Sequence, residues 1–180
     1  KLRDSLEATI VSTNFCNYCT GELIFPPYQI LHYGEVDIAF MGFTTTTTPT
    51  MVAPHTFLDE NKEIAYGFYR PTFYENAQKQ IDKARAEGAD YVVALSHLGD
   101  MDRGEHASSV SLISRTTGID VVLDGHDHRV MPDSLVYNLK GEPVLLASTG
   151  LKFQNIGLLT LSESGDRKST RLNSSHCRLP

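Results

Sequence analysis

What this chain lacks narrows its class before any motif is read. No apolar run approaches the length of a membrane-spanning helix. Basic charge is not in excess: 16 Lys and Arg against 22 Asp and Glu leave a formal charge of −6. That balance argues against a nucleic-acid polymer as partner, because such binding runs on cationic contacts to phosphates. Cysteine is scarce, with three in 180 residues. Cys16-Asn-Tyr-Cys19 is a lone CxxC. A structural zinc site needs a second ligand pair, and none is placed for it. The pair therefore reads as two thiols in a polar loop, with a local disulfide as the next alternative. No signal peptide is visible, but the chain begins at Lys1 and not at Met, so that absence carries no weight.

What is present suits a packed core. Hydrophobic residues make up 41% and charged residues 21%, the balance of one globular domain or most of one. Ala8–Ser12, Tyr28–Tyr33 and Val36–Phe43 read as strands, with Gly34-Glu35 as a hairpin turn between the last two. The threonine run before Pro49 favours an extended connection. Thr72 and Glu75 have capping-box spacing, and Tyr74, Ala77, Ile81 and Ala84 share one helical face that ends at Gly88. Tyr91–Leu95 is a short buried strand. A second helix is expected from about Glu105 to Thr117, with Ala107, Val110 and Ile113 inward, and Ile119–Leu123 follows as another strand. Helix, strand, helix, strand is a β-α-β crossover with a parallel pair. Beyond His128, Leu135–Asn138, Val144–Ala147 and Ile156–Leu161 read as a β-meander. Residues 1–165 form the domain. Residues 166–180 are basic, polar and aperiodic, and read as a non-native or disordered tail.

The chemistry concentrates after the two buried strands. One ends in Ser96-His97-Leu98-Gly99, the other in Asp124-Gly125-His126-Asp127-His128. Parallel neighbours joined by one helix end on the same sheet edge, which is where α/β sheets place their clefts. His126 and His128 are two apart, so an extended backbone would project both to one side. A lone histidine at a strand end is more often an ordinary hydrogen-bonded residue. Matched strand ends carrying three imidazoles instead suggest metal ligands, suited to zinc, manganese, iron or cobalt. Asp127 alternates with the histidines and should point away, which suits a place behind the ligands or at the surface. Asp124 suits orienting the turn, and Asp100 and Asp102 could line the cleft. His32, His55, His106 and His176 lack this setting.

Both histidine motifs resemble the last two metal motifs of the calcineurin-like metallophosphoesterases. The closer resemblance is to the bacterial branch of 5'-nucleotidases, UDP-sugar hydrolases and 2',3'-cyclic-nucleotide phosphodiesterases. Val11-Ser-Thr-Asn14, Gly42-Phe-Thr-Thr45, Gly118-Ile-Asp-Val121 and Gly150-Leu-Lys-Phe-Gln-Asn-Ile-Gly157 extend the similarity over residues 5–162. The resemblance implies an α/β fold, here part of a four-layer α/β/β/α sandwich. It implies two divalent metal ions, with His97 and His126 on one and His128 on the other, and a nucleotide or other small phosphate ester as substrate.

The family's Asp-x-His, Gly-Asp and Gly-Asn-His-Glu motifs do not occur here. The expectation is therefore an internal fragment with no catalytic residue of its own, inactive alone, whose parent carries a further nucleotide-binding domain and is periplasmic, secreted or cell-surface. The enzymatic alternatives are a cyclic-nucleotide phosphodiesterase or a UDP-sugar hydrolase. The alternative from another class is a metal-binding domain without catalysis.

Overall fold

The computed structural model describes residues 5–68, 72–101, 106–161 and 171–173. Alternating and continuous apolar runs give strands where the spacing predicts them. Tyr28–Tyr33 (β2) and Val36–Thr44 (β3) form a hairpin across Gly34-Glu35, in antiparallel register from Tyr28↔Met41 to Tyr33↔Val36. Tyr91–His97 (β5) lies parallel to β3, and Val121–Asp124 (β6) lies parallel to β5. The predicted β-α-β unit is thus present, closed by the helix Ser109–Arg115 (α3).

The expected meander after His128 takes the form of a hairpin. Val130–Tyr137 (β7) goes to the sheet edge and Pro143–Thr149 (β8) returns between it and β6, parallel to β6. Pro132 cannot donate to a ladder. It sits where the β7–β8 register shifts, between Met131 and Ser134, on an edge strand that tolerates it. The resulting six-stranded sheet has the order β2-β3-β5-β6-β8-β7. Its four central strands run parallel, so all four carboxyl ends share one edge.

The helix Phe73–Ala86 (α2) buries Phe73, Ala77, Ile81 and Ala84, the predicted stripe with Phe73 in place of the half-buried Tyr74. Both helices cover one face of the sheet. There Ala39, Met41, Val92, Ala94, Val122 and Leu146 meet Ile81, Leu112 and Ile113 in one apolar cluster. Arg85, in the last turn of α2, bonds the carbonyls of Gly118, Ala89 and Asp90 and the carboxylate of Asp120. Asp120 also accepts from the amide of Val92, so one side chain ties the helix end to two strand starts.

The opposite face is thinner. Val93, Val121 and Leu145 are buried there, with Leu159 and Leu161 partly buried against them, yet Leu95 is 43% exposed in the middle of the sheet. One helical layer and one sheet are therefore the part of the sandwich that is seen.

Several local expectations differ. Residues 8–12 form no strand; the amide of Ser12 donates to the carbonyl of Pro26, and that of the next residue, Thr13, to the carbonyl of Gly42. The polar CxxC segment contains a short strand, Phe15–Asn17 (β1), paired with Tyr66–Phe68 (β4). The threonine run leads into a one-turn helix, Thr48–Met51 (α1), with Pro49 in its first turn, where proline's missing N–H is harmless. Thr72 makes no side-chain cap, so the predicted box at α2 is not formed. Instead Ser108 and Ser111 form one at α3, which starts later than the spacing suggested; the expected start at Glu105 lies outside the described residues. Leu158–Thr160 (β9) leaves the main sheet and pairs with Arg171–Asn173 (β10). The boundary expected at 165 also lies outside the described residues.

Candidate metal centre

His97 is the last residue of β5, at the shared carboxyl edge, in register with Thr44 of β3. The turn after β6 folds beside it, with the amide of Gly125 donating to the carbonyl of Ser96 at 3.1 Å. The imidazoles of His97 and His126 then meet, ring centroids 5.1 Å apart and edge to face at 80°. His128 follows in the same turn and is exposed. Its charge reaches His97, but the ring pair is His97–His126. Among the described residues no group of three or more His, Cys, Asp or Glu side chains is arranged to hold a metal ion.

The turn is not extended. His126 and His128 both have left-handed backbones, with φ of 54° and 55°. Non-glycine residues seldom adopt this region, and histidine is among the few enriched in it. The simple alternation expected for 126–128 therefore does not apply, and Asp127 does not point away. Its Oδ2 accepts from the amides of Asp100 and Met101 at 2.9 and 3.4 Å. A β-carbon on Gly99 would fall 2.5 Å from that oxygen and 3.1 Å from the His126 ring, so the two histidine-bearing turns are in direct contact.

The electrostatics follow from this packing. His97 is accessible at the rim, yet its pKa is lowered, first by partial burial of the ring and then by the neighbouring charge of His126; Asp124 opposes this. A neutral imidazole is the form that binds metal. Asp124 is half-buried and its pKa is raised by that burial, against hydrogen bonds from Gly125 and Gly99. Its Oδ1 accepts both amides, at 2.8 and 3.3 Å, the orienting role its position suggested. Burial and contact with the Asp127 carboxyl also push the Asp100 carboxyl up, while Arg129 pulls it down. Asp102 lies outside the described residues.

The edge opens onto a cleft of about 840 Å³ on the face away from the helices. Its floor is Leu95, Leu123 and Ala147, and its rim includes His97, Asp124 and Gly125. Phe15, Phe25, Phe57 and Phe68 form the far wall, with Phe15 and Phe68 5.1 Å apart. Sequence reasoning missed this wall and Arg129, and with it the link that joins Asp100 and Asp127. The wall is built by pairing between β1 and β4, some fifty residues apart, which no local pattern announces.

Comparison with known proteins follows the same line. The 5'-nucleotidase of Naja atra venom is 31% identical over 100 residues, covering 56% of this chain and 16% of its own length. The 2',3'-cyclic-nucleotide 2'-phosphodiesterase/3'-nucleotidase of Salmonella typhimurium is 25% identical over 146 residues, covering 74% of this chain and 21% of its own. The solved 5'-nucleotidase precursor of Thermus thermophilus superposes with a TM-score of 0.65 at 26% identity, over 92% of this chain and 32% of that one. The chain is thus similar to 5'-nucleotidases and to a 2',3'-cyclic-nucleotide 2'-phosphodiesterase/3'-nucleotidase. It spans only a minor part of the length of those relatives. No family model matches it. Among the described residues no helix is long and apolar enough to cross a membrane.

Proposed function

We propose that the protein is a metal-dependent hydrolase of nucleotide phosphate esters, of the 5'-nucleotidase kind. The observation that carries this is the His97–His126 imidazole pair at the carboxyl edge of parallel strands, with His97 lining a large cleft. Two adjacent imidazoles, one of them kept neutral by partial burial, fit one divalent cation of the zinc or manganese class. His128, exposed on the same turn, would serve a second. Such cations, when bound, clamp a phosphoryl group, lower the pKa of bound water and stabilise charge in an in-line displacement.

The chain's own contribution is placement. Asp124 orients the turn by taking two amides, and the cleft beside His97 has an apolar floor. Three histidines are fewer ligands than two cations need, so turnover by these residues alone is expected to be low. By the same likeness to nucleotidases, the protein works outside the cytoplasm, in a periplasm or at a cell surface, together with a nucleotide-binding domain.

Cyclic-nucleotide phosphodiesterase activity is the second reading, favoured by the broader cover of the Salmonella typhimurium relative, 74% of this chain against 56% for the venom enzyme. The test is zinc and manganese uptake by the wild-type chain against His97→Ala and His126→Ala. Each variant should lose metal, and uptake unchanged in both would remove the reading. Phosphate release from AMP, 2',3'-cyclic AMP and UDP-glucose then ranks the substrates, and a chelator should abolish it.

A further inference from the structure

The two histidine turns come from different strands, and something must fix their spacing. Among the described residues, the backbone hydrogen bonds between these strand ends stop at Gly125 N to Ser96 O. Beyond that point the turns are joined by side chains. Asp127 takes the amides of Asp100 and Met101 on a single oxygen. Arg129 returns the link, its Nη1 2.7 Å from Oδ2 of Asp100. The Asp100 side chain is only 10% exposed, while the guanidinium side chain is 56% exposed. The backbone of Arg129 is anchored in turn, because Ser148 Oγ on β8 donates to its carbonyl at 2.9 Å. A continuous tie thus runs from β8 through Arg129 and Asp100 to Asp127, and it encloses the turn that carries His126 and His128. Both histidines hold left-handed backbones, which are costly unless their surroundings impose them.

We propose that Asp127 and the Asp100–Arg129 ion pair are positioning groups, which set the distance between His97 and the His126–His128 turn and so the metal affinity of the site. The proposal rests on the metal reading above for its consequence, but not for its geometry. Asp127 bonds backbone amides across the gap between the turns, so its effect passes through the turn. One oxygen suffices for both amides, so Asp127→Asn should keep the tie and Asp127→Ala should break it. Arg129→Ala, at an exposed side chain, leaves the buried Asp100 carboxyl without its cation and should loosen the same link.

The experiment has two readouts on the 180-residue chain. One is manganese or zinc affinity by calorimetry. Partners that orient metal ligands are worth roughly ten- to a hundredfold in affinity, so Asp127→Ala and Arg129→Ala should bind that much more weakly and Asp127→Asn close to wild type. The other is metal-free: the nuclear Overhauser effect between the His97 and His126 rings, with exchange protection of the Asp100 and Met101 amides. Both should weaken in Asp127→Ala and Arg129→Ala and persist in Asp127→Asn. An unchanged Overhauser effect in both loosened variants overturns the proposal whether or not metal binds. Wild-type chain that takes up no metal, with the two rings moved apart in the variants, leaves the tie standing and removes the metal reading instead. Should Asp127→Ala not fold, Arg129→Ala decides.

Discussion

Gly125 faces His97 with no room for a side chain: a β-carbon there would lie 2.9 Å from Nδ1 of the imidazole. The nearest atom belongs to a ring that can rotate, so Gly125→Ala should be absorbed by turning His97 and not by unfolding. Stability should change by about 1 kcal/mol or less, the range of a substitution whose clash the neighbour can relieve. The edge-to-face packing of His97 on His126 should be disrupted, and metal affinity should drop roughly tenfold, as when ligand orientation is disturbed. Thermal melting beside a zinc titration separates the two effects. A large fall in melting temperature with unchanged affinity per folded molecule would contradict this account.

Asp120 acts on the fold and not on the site. Its carboxylate binds Arg85 and the amide of Val92, with its side chain 17% exposed. Asp120→Ala would leave a strand amide and a largely enclosed guanidinium without that acceptor. Loss of one partner from a buried pair costs roughly 3–5 kcal/mol, and the partial exposure of Arg85, 27%, brings the expectation down to about 2–3 kcal/mol. Urea unfolding should show the midpoint shift with an unchanged slope.

The parts of this architecture that could be read from the sequence are those set by local repetition. Ala77, Ile81 and Ala84 recur at helical spacing, and β5 and β6 are apolar runs too short to be anything but buried strands. Their parallel pairing follows from the helix between them, and the approach of His97 to His126 follows from the pairing. What was not legible depends on non-local or unusual backbone. Phe15 meets Phe68 only because β1 pairs with β4. The return of β8 between β6 and β7 is a choice of topology, not of propensity. The left-handed backbones of His126 and His128 reversed the expectation for Asp127, because period-2 alternation holds only while the chain is extended.

The two faces of the sheet bury their aliphatic residues unequally. Ile81, on α2, is fully buried against the helical face and Leu95 is 43% exposed over the cleft. Ile81→Ala should cost about 2–5 kcal/mol, the usual penalty for emptying a packed site. Leu95→Ala should fall within about 1 kcal/mol, since little apolar area returns to water. Equal penalties in chemical denaturation would mean that the cleft face is packed as tightly as the helical one.

Ser108 fixes the start of α3. Its hydroxyl accepts from the amide of Ser111 at 3.0 Å, while Ser111 Oγ accepts from the amide of Ser108 at 2.8 Å, closing the box at the start of α3. Ser108 is 1% exposed, so water cannot replace the lost acceptor. Ser108→Ala should therefore cost about 1–2 kcal/mol, the upper part of the range for N-cap removal. Asp, the usual exchange at an exposed cap, should not rescue it, because its charge would be buried without a cation among the residues of the box. Ser111→Ala removes the reciprocal half and should couple to Ser108→Ala, the double variant losing less than the two single losses added. Additive losses in thermal unfolding would show that the two hydroxyls act independently at the start of α3, which carries the chain from β5 to β6.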